Sequence, residues 1–217
     1  SSAIYVVLWA LFRTIGLLCF RYRVVGTVPK TGGFIVTANH ASYLDIPFLG
    51  CGIWRRAWYL GRSDLFPVPG FKAICQWLEW IPLRTGRLDR DAFGKAVSLI
   101  KAGKVVVIFP EGSRSLDGQL QPSKPGIGMI VAQTGCPVVP AYLNGTYDVL
   151  PSGTMWPRFR PVTVLFGDPL TFPRSGENGE AKQFYQEVSR TVMDRIACLG
   201  AVESPTQQSS AGIRKAE

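Results

Sequence analysis

Histidine is scarce in this 217-residue chain: it occurs once, at position 40. Any chemistry that needs an imidazole is therefore confined to His40. The five cysteines form no CxxC pair and are odd in number, which argues against a zinc site and against a disulfide framework. We expect free thiols buried in apolar surroundings and no bound metal. Charged residues make up 18% and hydrophobic residues 47% of the chain, a balance that excludes a disordered polyelectrolyte.

Long apolar runs are missing as well. No stretch reaches the roughly 20 apolar residues that cross a bilayer unaided, which excludes an all-membrane protein. Residues 4–20 are apolar apart from Arg13, and as a helix they would span about 25 Å, less than a hydrocarbon core of about 30 Å. We interpret residues 1–20 as a helical segment that associates with a membrane interface. A buried core helix and the end of a longer spanning helix are the alternatives.

Acidic residues are few in the first part of the chain. Residues 1–125 contain 16 basic and 7 acidic side chains, whereas residues 126–217 contain 8 of each sign. The formal net charge of +9 therefore belongs to the first part. Such an asymmetry indicates an anionic partner, which can be nucleic acid, an anionic membrane surface or a phosphorylated substrate.

Strand-like and helix-like segments alternate along residues 21–200. The apolar runs at residues 33–38 and 105–110 are typical of strands buried on both faces of a parallel sheet, and residues 89–102 have the periodicity of an amphipathic helix. Further strands are predicted at residues 21–26, 57–61, 81–85, 137–143 and 161–167, and further helices at residues 45–50, 126–134 and 182–198. We predict a single α/β domain, a mostly parallel mixed sheet flanked by helices, with a disordered tail at residues 201–217.

The sequence NHASYLD, residues 39–45, follows directly on a predicted strand. Open α/β sheets carry their reactive groups at such strand ends. A neutral imidazole is a good base near pH 7, and a carboxylate five residues on can bond its other ring nitrogen and fix the tautomer. His40 and Asp45 are therefore the candidate base and its orienting acid. Taken alone, the pair also fits a structural histidine beside a helix cap.

Anion-binding candidates follow two other strands and precede one helix. They are Glu111, Gly112, Ser113, Arg114, Arg84 and Lys124. Arg114 offers a planar fork suited to phosphate, and Gly112 lets a ligand approach the backbone. Glu111 is suited either to hold Arg114 or to accept a substrate hydroxyl, and a purely structural Glu–Arg pair is the alternative. Lys124 precedes a predicted helix N-terminus, a favourable place for an anion.

Four segments of the chain together resemble the motifs of a known family. NHASYLD, IPLR, FPEGSRS and CPVVPAY stand in the order and approximate spacing of the four motifs of the phospholipid/glycerol acyltransferase family, over about residues 20–170. Leu83 occupies a place where the family often has Asp, and Ser113 a place where it often has Thr. The resemblance implies transfer of a fatty acyl group from acyl-ACP or acyl-CoA to the free hydroxyl of a lysophospholipid, with no covalent acyl-enzyme and no bound cofactor.

The resemblance also implies roles for residues of this chain. His40 would be the general base oriented by Asp45, and Glu111 and Arg114 would bind the glycerol phosphate with help from Arg84. The acyl site would be lined by residues of the fourth motif, namely Val138, Val139 and Pro140. The acceptor implied is 1-acylglycerol-3-phosphate, giving phosphatidic acid in phospholipid biosynthesis. Glycerol-3-phosphate, another lysophospholipid and a lyso-aminolipid are the alternatives.

The expected partners are the lipid and thioester substrates, an anionic membrane surface on the cytoplasmic face, and acyl carrier protein. A nucleic-acid-binding module is the alternative from another class. It is disfavoured because the basic residues cluster around the candidate site instead of forming a stripe. A membrane-binding protein without catalysis is a third hypothesis, but it would not need the four residues His40, Asp45, Glu111 and Arg114.

Overall fold

The computed structural model describes residues 2–62, 79–84, 89–173 and 181–212. Within these residues the strands are β1 Arg23–Val25, β2 Phe34–Ala38, β3 Ala57–Arg62, β4 Trp80–Leu83, β5 Val105–Ile108, β6 Val138–Asn144 and β7 Thr163–Phe166. The helices are α1 Ser2–Cys19, α2 Asp45–Gly52, α3 Arg90–Lys101, α4 Gly126–Thr134, α5 Thr146–Val149 and α6 Ala181–Gly212.

The strands form one mixed sheet in the order β1-β7-β6-β2-β5-β3-β4. The run from β6 to β4 is parallel throughout, β7 is antiparallel to β6, and β1 is parallel to β7. The carboxyl ends of β6, β2, β5, β3 and β4 therefore lie along one edge of the sheet. The prediction of an α/β fold with a mostly parallel mixed sheet is confirmed.

Both faces of the sheet are covered, and apart from Thr37 the central strands β2 and β5 consist of apolar residues. β2 and β5 are buried along their whole length. Val36 faces a core that α2 completes, whereas its neighbour Ile35 faces a core completed by α3, α4 and α6. Asp89 begins α3 by accepting a hydrogen bond from the backbone N–H of Ala92 at 3.2 Å, an ordinary N-cap.

Helix α1 packs against α2 through polar contacts as well as apolar ones. Trp9 Nε1 donates to the carbonyl of Gly50 at 3.1 Å, and the Arg13 guanidinium donates to that of Cys51 at 2.7 Å. These bonds satisfy carbonyls at the C-terminal end of α2 that have no partner within the helix. Arg13 also lies over the ring of Trp54, 4.9 Å from its centroid. The single charge of α1 thus faces the protein.

The outward face of α1 is apolar. Its exposed large hydrophobic side chains are Val6, Val7, Leu11, Phe12, Ile15, Leu17 and Leu18. No helix among the described residues combines the length and the apolar content needed to cross a membrane. The helix is therefore held on the protein by one face and leaves the other uncovered.

The structure differs from the sequence predictions at three points. α5 was not predicted, because one helical turn is too short to show a periodicity. α6 continues to Gly212, so residues 201–212 are helical where we predicted a disordered tail; each added residue costs little once a helix has begun. Of the predicted free thiols, Cys51 and Cys136 are buried, but Cys19 and Cys198 are exposed, since they lie on outward helix surfaces. Cys75 and residues 213–217 lie outside the described residues.

Candidate active site

His40 and Asp45 meet where β2 ends and α2 begins. His40 Nδ1 lies 2.8 Å from Asp45 Oδ2, and both side chains are buried. The same carboxylate oxygen accepts the backbone N–H groups of Ala41 and Ser42 at 2.7 and 2.8 Å. The carboxylate is therefore fixed by the loop that carries the histidine. Because Asp45 occupies Nδ1, Nε2 is the ring nitrogen left to take a proton.

A phenylalanine fixes the plane of the histidine ring. Phe109 stacks on His40 with ring centroids 4.1 Å apart and an interplanar angle of 17°. Phe109 comes directly after β5, which pairs with β2 in the sheet. Sequence reasoning missed this contact, because nothing near His40 in the chain indicates which strand will lie beside it.

Glu111 lies behind His40 and joins two loops. Its Oε1 accepts the backbone N–H of His40 at 2.9 Å, and its Oε2 accepts that of Gln121 at 3.1 Å. Burial raises the pKa of Glu111 to about 7, with a smaller upward contribution from the charge of Asp45 and an opposing one from the two hydrogen bonds. Among the described ion pairs there is none between Glu111 and Arg114. The Glu111 carboxyl group thus links the loop that carries His40 to the loop that carries Gln121.

Further hydrogen bonds hold the loop after β2 on both sides. The Ser115 N–H donates to the His40 carbonyl at 2.7 Å. The Asn39 side chain donates to the carbonyl of Leu143 at 3.1 Å and accepts from its N–H at 2.7 Å. Asn39 is a positioning residue that our sequence argument quoted but to which it gave no role. Its amide makes a backbone-like link across to β6, so the loop rests on both neighbouring strands.

Two cationic side chains lie on the loop that touches His40. The Arg114 guanidinium carbon lies 3.5 Å from the centroid of the Tyr43 ring. Gly112 has a φ of 71°, and a Cβ at this position would lie 2.7 Å from Lys124 Nζ, so the ammonium group sits directly over this glycine. Ser113, between them, is exposed. The guanidinium of Arg114 and the ammonium of Lys124 are groups of the kind that bind phosphate.

Arg84 stands farther along the same edge. It follows β4, three strands from β2, which corresponds to about 14 Å at the usual strand spacing. Its backbone N–H donates to Asp89 at 2.9 Å, and its side chain is exposed. The sheet brings Arg84 to the correct edge but not against His40. Its role as a phosphate ligand stays a prediction.

The residues predicted to line the acyl site lie inside the sheet. Val138 and Val139 are fully buried and face the two opposite cores. Pro140 is also buried, and its carbonyl accepts the N–H of Gly167 at 2.8 Å. An acyl chain would have to displace core packing to reach them.

A separate apolar cavity lies between α1 and α2. It is lined by Tyr5, Leu8, Trp9, Phe12, Ile46, Pro47, Gly50, Cys51 and Tyr59. Ile46 and Pro47 belong to α2, the helix that begins with Asp45. The sequence analysis predicted a membrane interface or a buried core for the apolar residues 4–20, but it did not predict a cavity.

Two known proteins are similar to part of this sequence. The BAT2 1-acyl-sn-glycerol-3-phosphate acyltransferase of Brassica napus, a chloroplastic protein, is 34% identical over 122 residues, which are 55% of this chain and 35% of that protein. The 1-acyl-sn-glycerol-3-phosphate acyltransferase of Bacillus subtilis is 25% identical over 144 residues, 66% of this chain and 69% of that protein. The chain thus spans about a third of the length of the plant relative.

A solved structure is similar over a larger share of the chain. The crystal structure of PlsC, the 1-acyl-sn-glycerophosphate (LPA) acyltransferase of Thermotoga maritima, superposes with a TM-score of 0.65 at 29% identity, covering 86% of this chain and 78% of that one. The model of the Acyltransferase family matches residues 21–144, a range that includes His40, Asp45, Glu111 and Arg114. Because that match takes in more than half of the chain, the protein belongs to the Acyltransferase family.

Proposed function

We propose that this protein transfers a fatty acyl group from an acyl thioester to the free hydroxyl of 1-acylglycerol-3-phosphate, forming phosphatidic acid. The observation that carries the proposal is the buried His40–Asp45 pair with the cations Arg114 and Lys124 on the adjoining loop. A base beside an anion clamp suits an acceptor that has both a hydroxyl and a phosphate. The names of the Brassica and Bacillus relatives support the same acceptor.

In the proposed reaction His40 Nε2 takes the proton of the acceptor hydroxyl, and the hydroxyl oxygen attacks the carbonyl carbon of the thioester. Asp45, bonded to Nδ1, stabilises the imidazolium that forms. The tetrahedral intermediate then collapses, the carbon–sulfur bond breaks, and the departing thiolate takes the proton from the imidazolium. The products are phosphatidic acid and free thiol, and His40 returns to its neutral form. No acyl group is bonded to the protein at any step.

The two substrates would approach from different sides of the catalytic pair. The acceptor phosphate is bound by Arg114 and Lys124, with Arg84 farther along the edge. We propose that the acyl chain of the lipid or of the thioester enters at the apolar cavity between α1 and α2, because the core around Val139 is filled. The thiol carrier, coenzyme A or acyl carrier protein, remains in solvent.

The exposed apolar face of α1 supports peripheral association with an anionic membrane surface. We assign this surface to the cytoplasmic side, because the unpaired thiols of Cys51 and Cys136 suit a reducing compartment. A lipid acceptor then reaches His40 without leaving the vicinity of the bilayer.

The test is an incubation of the purified protein with labelled acyl-CoA or acyl-ACP and a panel of acceptors. The panel contains 1-acylglycerol-3-phosphate, glycerol-3-phosphate, another lysophospholipid and a lyso-aminolipid. We expect labelled phosphatidic acid from the first acceptor, and none above background with His40→Ala, whose fold is checked by circular dichroism. Arg190→Gln, an exposed change on α6, is the control and should keep full activity.

The remaining outcomes separate the alternatives. Label in the product of another acceptor would reassign the substrate within the same chemistry. The absence of product from every acceptor, or full turnover by His40→Ala, would overturn the proposal. Salt-sensitive nucleic-acid binding by an inactive protein would favour a nucleic-acid-binding module.

A further inference from the structure

An exposed loop between α5 and β7 is unlike the rest of the surface. We call residues 153–161, all of them exposed, the aromatic–basic loop. Its large apolar side chains are almost fully in solvent: Met155 is 87%, Trp156 83% and Phe159 74% exposed. Arg158 and Arg160 flank Phe159, and the sequence has no acidic residue from position 149 to position 167. Contiguous exposed apolar side chains of this kind mark an interaction site.

The aromatic–basic loop is held at both ends by backbone contacts. Near its start, the carbonyl of Leu150 accepts a hydrogen bond from the Ser42 hydroxyl at 2.9 Å. Just after its end, the Val162 N–H donates to the carbonyl of Phe20 at 2.9 Å. In its middle, the Arg158 N–H donates to the last carbonyl of α5 at 2.7 Å. The loop is therefore tied to the catalytic loop on one side and to the chain after α1 on the other.

A ring contact connects the loop with the end of α1. The Phe159 ring lies 5.7 Å from that of Phe20, which in turn lies 5.5 Å from Phe48 of α2. Close to Phe20 in the chain, Leu18 is 80% exposed and Arg21 is exposed. Exposed apolar and basic side chains thus occur together on both sides of Phe20.

We propose that the aromatic–basic loop is a second membrane-contact element, which docks on an anionic phospholipid surface beside α1. Trp156, Met155 and Phe159 enter the interfacial layer, where tryptophan is enriched in membrane proteins. Arg158 and Arg160 bind lipid phosphates, since among the described residues neither of them forms an ion pair with a carboxylate. The inference rests on the proposed function, because a membrane-borne acceptor gives this docking its purpose.

Docking through this loop has a consequence for catalysis. Ser42 lies two residues from His40 and donates a hydrogen bond to the carbonyl of Leu150, three residues before the loop begins. A bilayer that contacts the loop and the outward face of α1 therefore lies close to the catalytic loop as well. The acceptor then moves from the bilayer to His40 over a short path, with its phosphate still near the headgroup layer.

The first measurement is sedimentation of the full chain with vesicles of equimolar phosphatidylcholine and phosphatidylglycerol, and with vesicles of phosphatidylcholine alone. Replacing Arg158 and Arg160 with Gln should weaken binding to the anionic vesicles by about fivefold for each arginine. Trp156→Ser with Phe159→Ser should weaken binding to both vesicle types by about tenfold or more. The matched controls, Arg190→Gln and Val202→Ser, alter exposed residues of α6 and should bind like the wild type.

The second measurement compares turnover of 1-acylglycerol-3-phosphate embedded in the anionic vesicles with turnover of the same lipid dispersed in detergent. The loop variants should lose vesicle turnover in proportion to their binding, and the deficit should disappear in detergent. If the wild type forms no product from the lipid in vesicles or in detergent, the proposed function fails. The sedimentation result still shows whether the loop binds the membrane. Unchanged vesicle binding by both loop variants would overturn the inference. If the loop variants bound vesicles like the wild type but turned over acyl-ACP more slowly in detergent, the loop would be a contact for the carrier protein. That result would also overturn the inference.

Discussion

The two faces of the sheet are covered in different ways. On one face α3, α4 and α6 close a core in which Ile130 and Ile196 are fully buried. On the other face α2, buried at every position except Pro47, begins with the catalytic carboxylate, and α1 packs against it with an apolar outer surface. Under the proposed function, the first cover serves stability, whereas the second carries the proposed catalytic pair and the proposed membrane-contact surface.

The Asp45 carboxylate, at the start of α2, should give the largest effect. Asp45→Asn replaces the oxygen that holds His40 Nδ1, so the tautomer and the imidazolium lose their support. We expect kcat to fall by about 10²–10⁴-fold, measured with 1-acylglycerol-3-phosphate. Asp91→Asn, an exposed acid of α3, is the matched control and should keep the wild-type kcat. A fully active Asp45→Asn protein would contradict the assigned role.

A core residue on the opposite face should affect stability alone. Ile130→Ala leaves a cavity under α4 and should lower the free energy of unfolding by about 2–5 kcal/mol, against about 1 kcal/mol for Ile130→Val. Urea denaturation measures both changes. Because Ile130 lies on the far side of the sheet from His40, kcat measured well below the melting temperature should stay unchanged. A kcat that falls together with the free energy of unfolding would contradict the assignment of separate roles to the two faces.

Glu111 should make stability depend on pH in an unusual direction. Its pKa rises from 4.5 to about 7 on folding, so between these values the unfolded chain has released a proton that the folded protein keeps. The free energy of unfolding therefore falls as pH rises from about 4.5 to 7, by an amount on the order of 3 kcal/mol. In Glu111→Gln this contribution is absent and the slope over that window should flatten. Equal slopes in the two proteins, measured by urea denaturation at several pH values, would be the contrary result.

Arg13 should stabilise the attachment of α1. Arg13→Gln removes the donor to the Cys51 carbonyl and the cation over the Trp54 ring, and should lower the free energy of unfolding by about 1–2 kcal/mol. Limited proteolysis should then cut α1 faster than in the wild type. Arg190→Gln is the control and should show neither change. If Arg13→Gln behaved like this control, the apolar contacts alone would hold the helix.

The outward face of α1 should give the smallest effect on stability. Leu18 is 80% exposed, so Leu18→Ser should change the free energy of unfolding by no more than about 0.5 kcal/mol. Ile196→Ser, which puts a hydroxyl into the opposite core, is the contrasting variant and should cost several-fold more. A large loss for Leu18→Ser would mean that this surface is already covered by protein in solution.

The predictability of the site varied with the distance between partners along the chain. His40 and Asp45 are five residues apart, and the sequence predicted that they would meet. Glu111 was correctly placed near the site, but its two backbone hydrogen bonds were not foreseen, because they depend on β5 lying beside β2. Phe109 and Asn39 were missed for the same reason. The apolar cavity was missed because it needs α1 and α2 to pack together.

What the sequence alone determined was therefore local. Apolar runs and periodicity defined the strands and helices, and the residue types at the strand ends defined the chemistry, because both depend on neighbours within a few positions. The tertiary structure alone decided that Glu111 supports the His40 backbone and that Arg84 stands three strands away. It also decided that α1 turns Arg13 inward and Leu11, Leu17 and Leu18 outward. These features follow from the strand order and from helix packing, which bring together segments that are far apart in the chain.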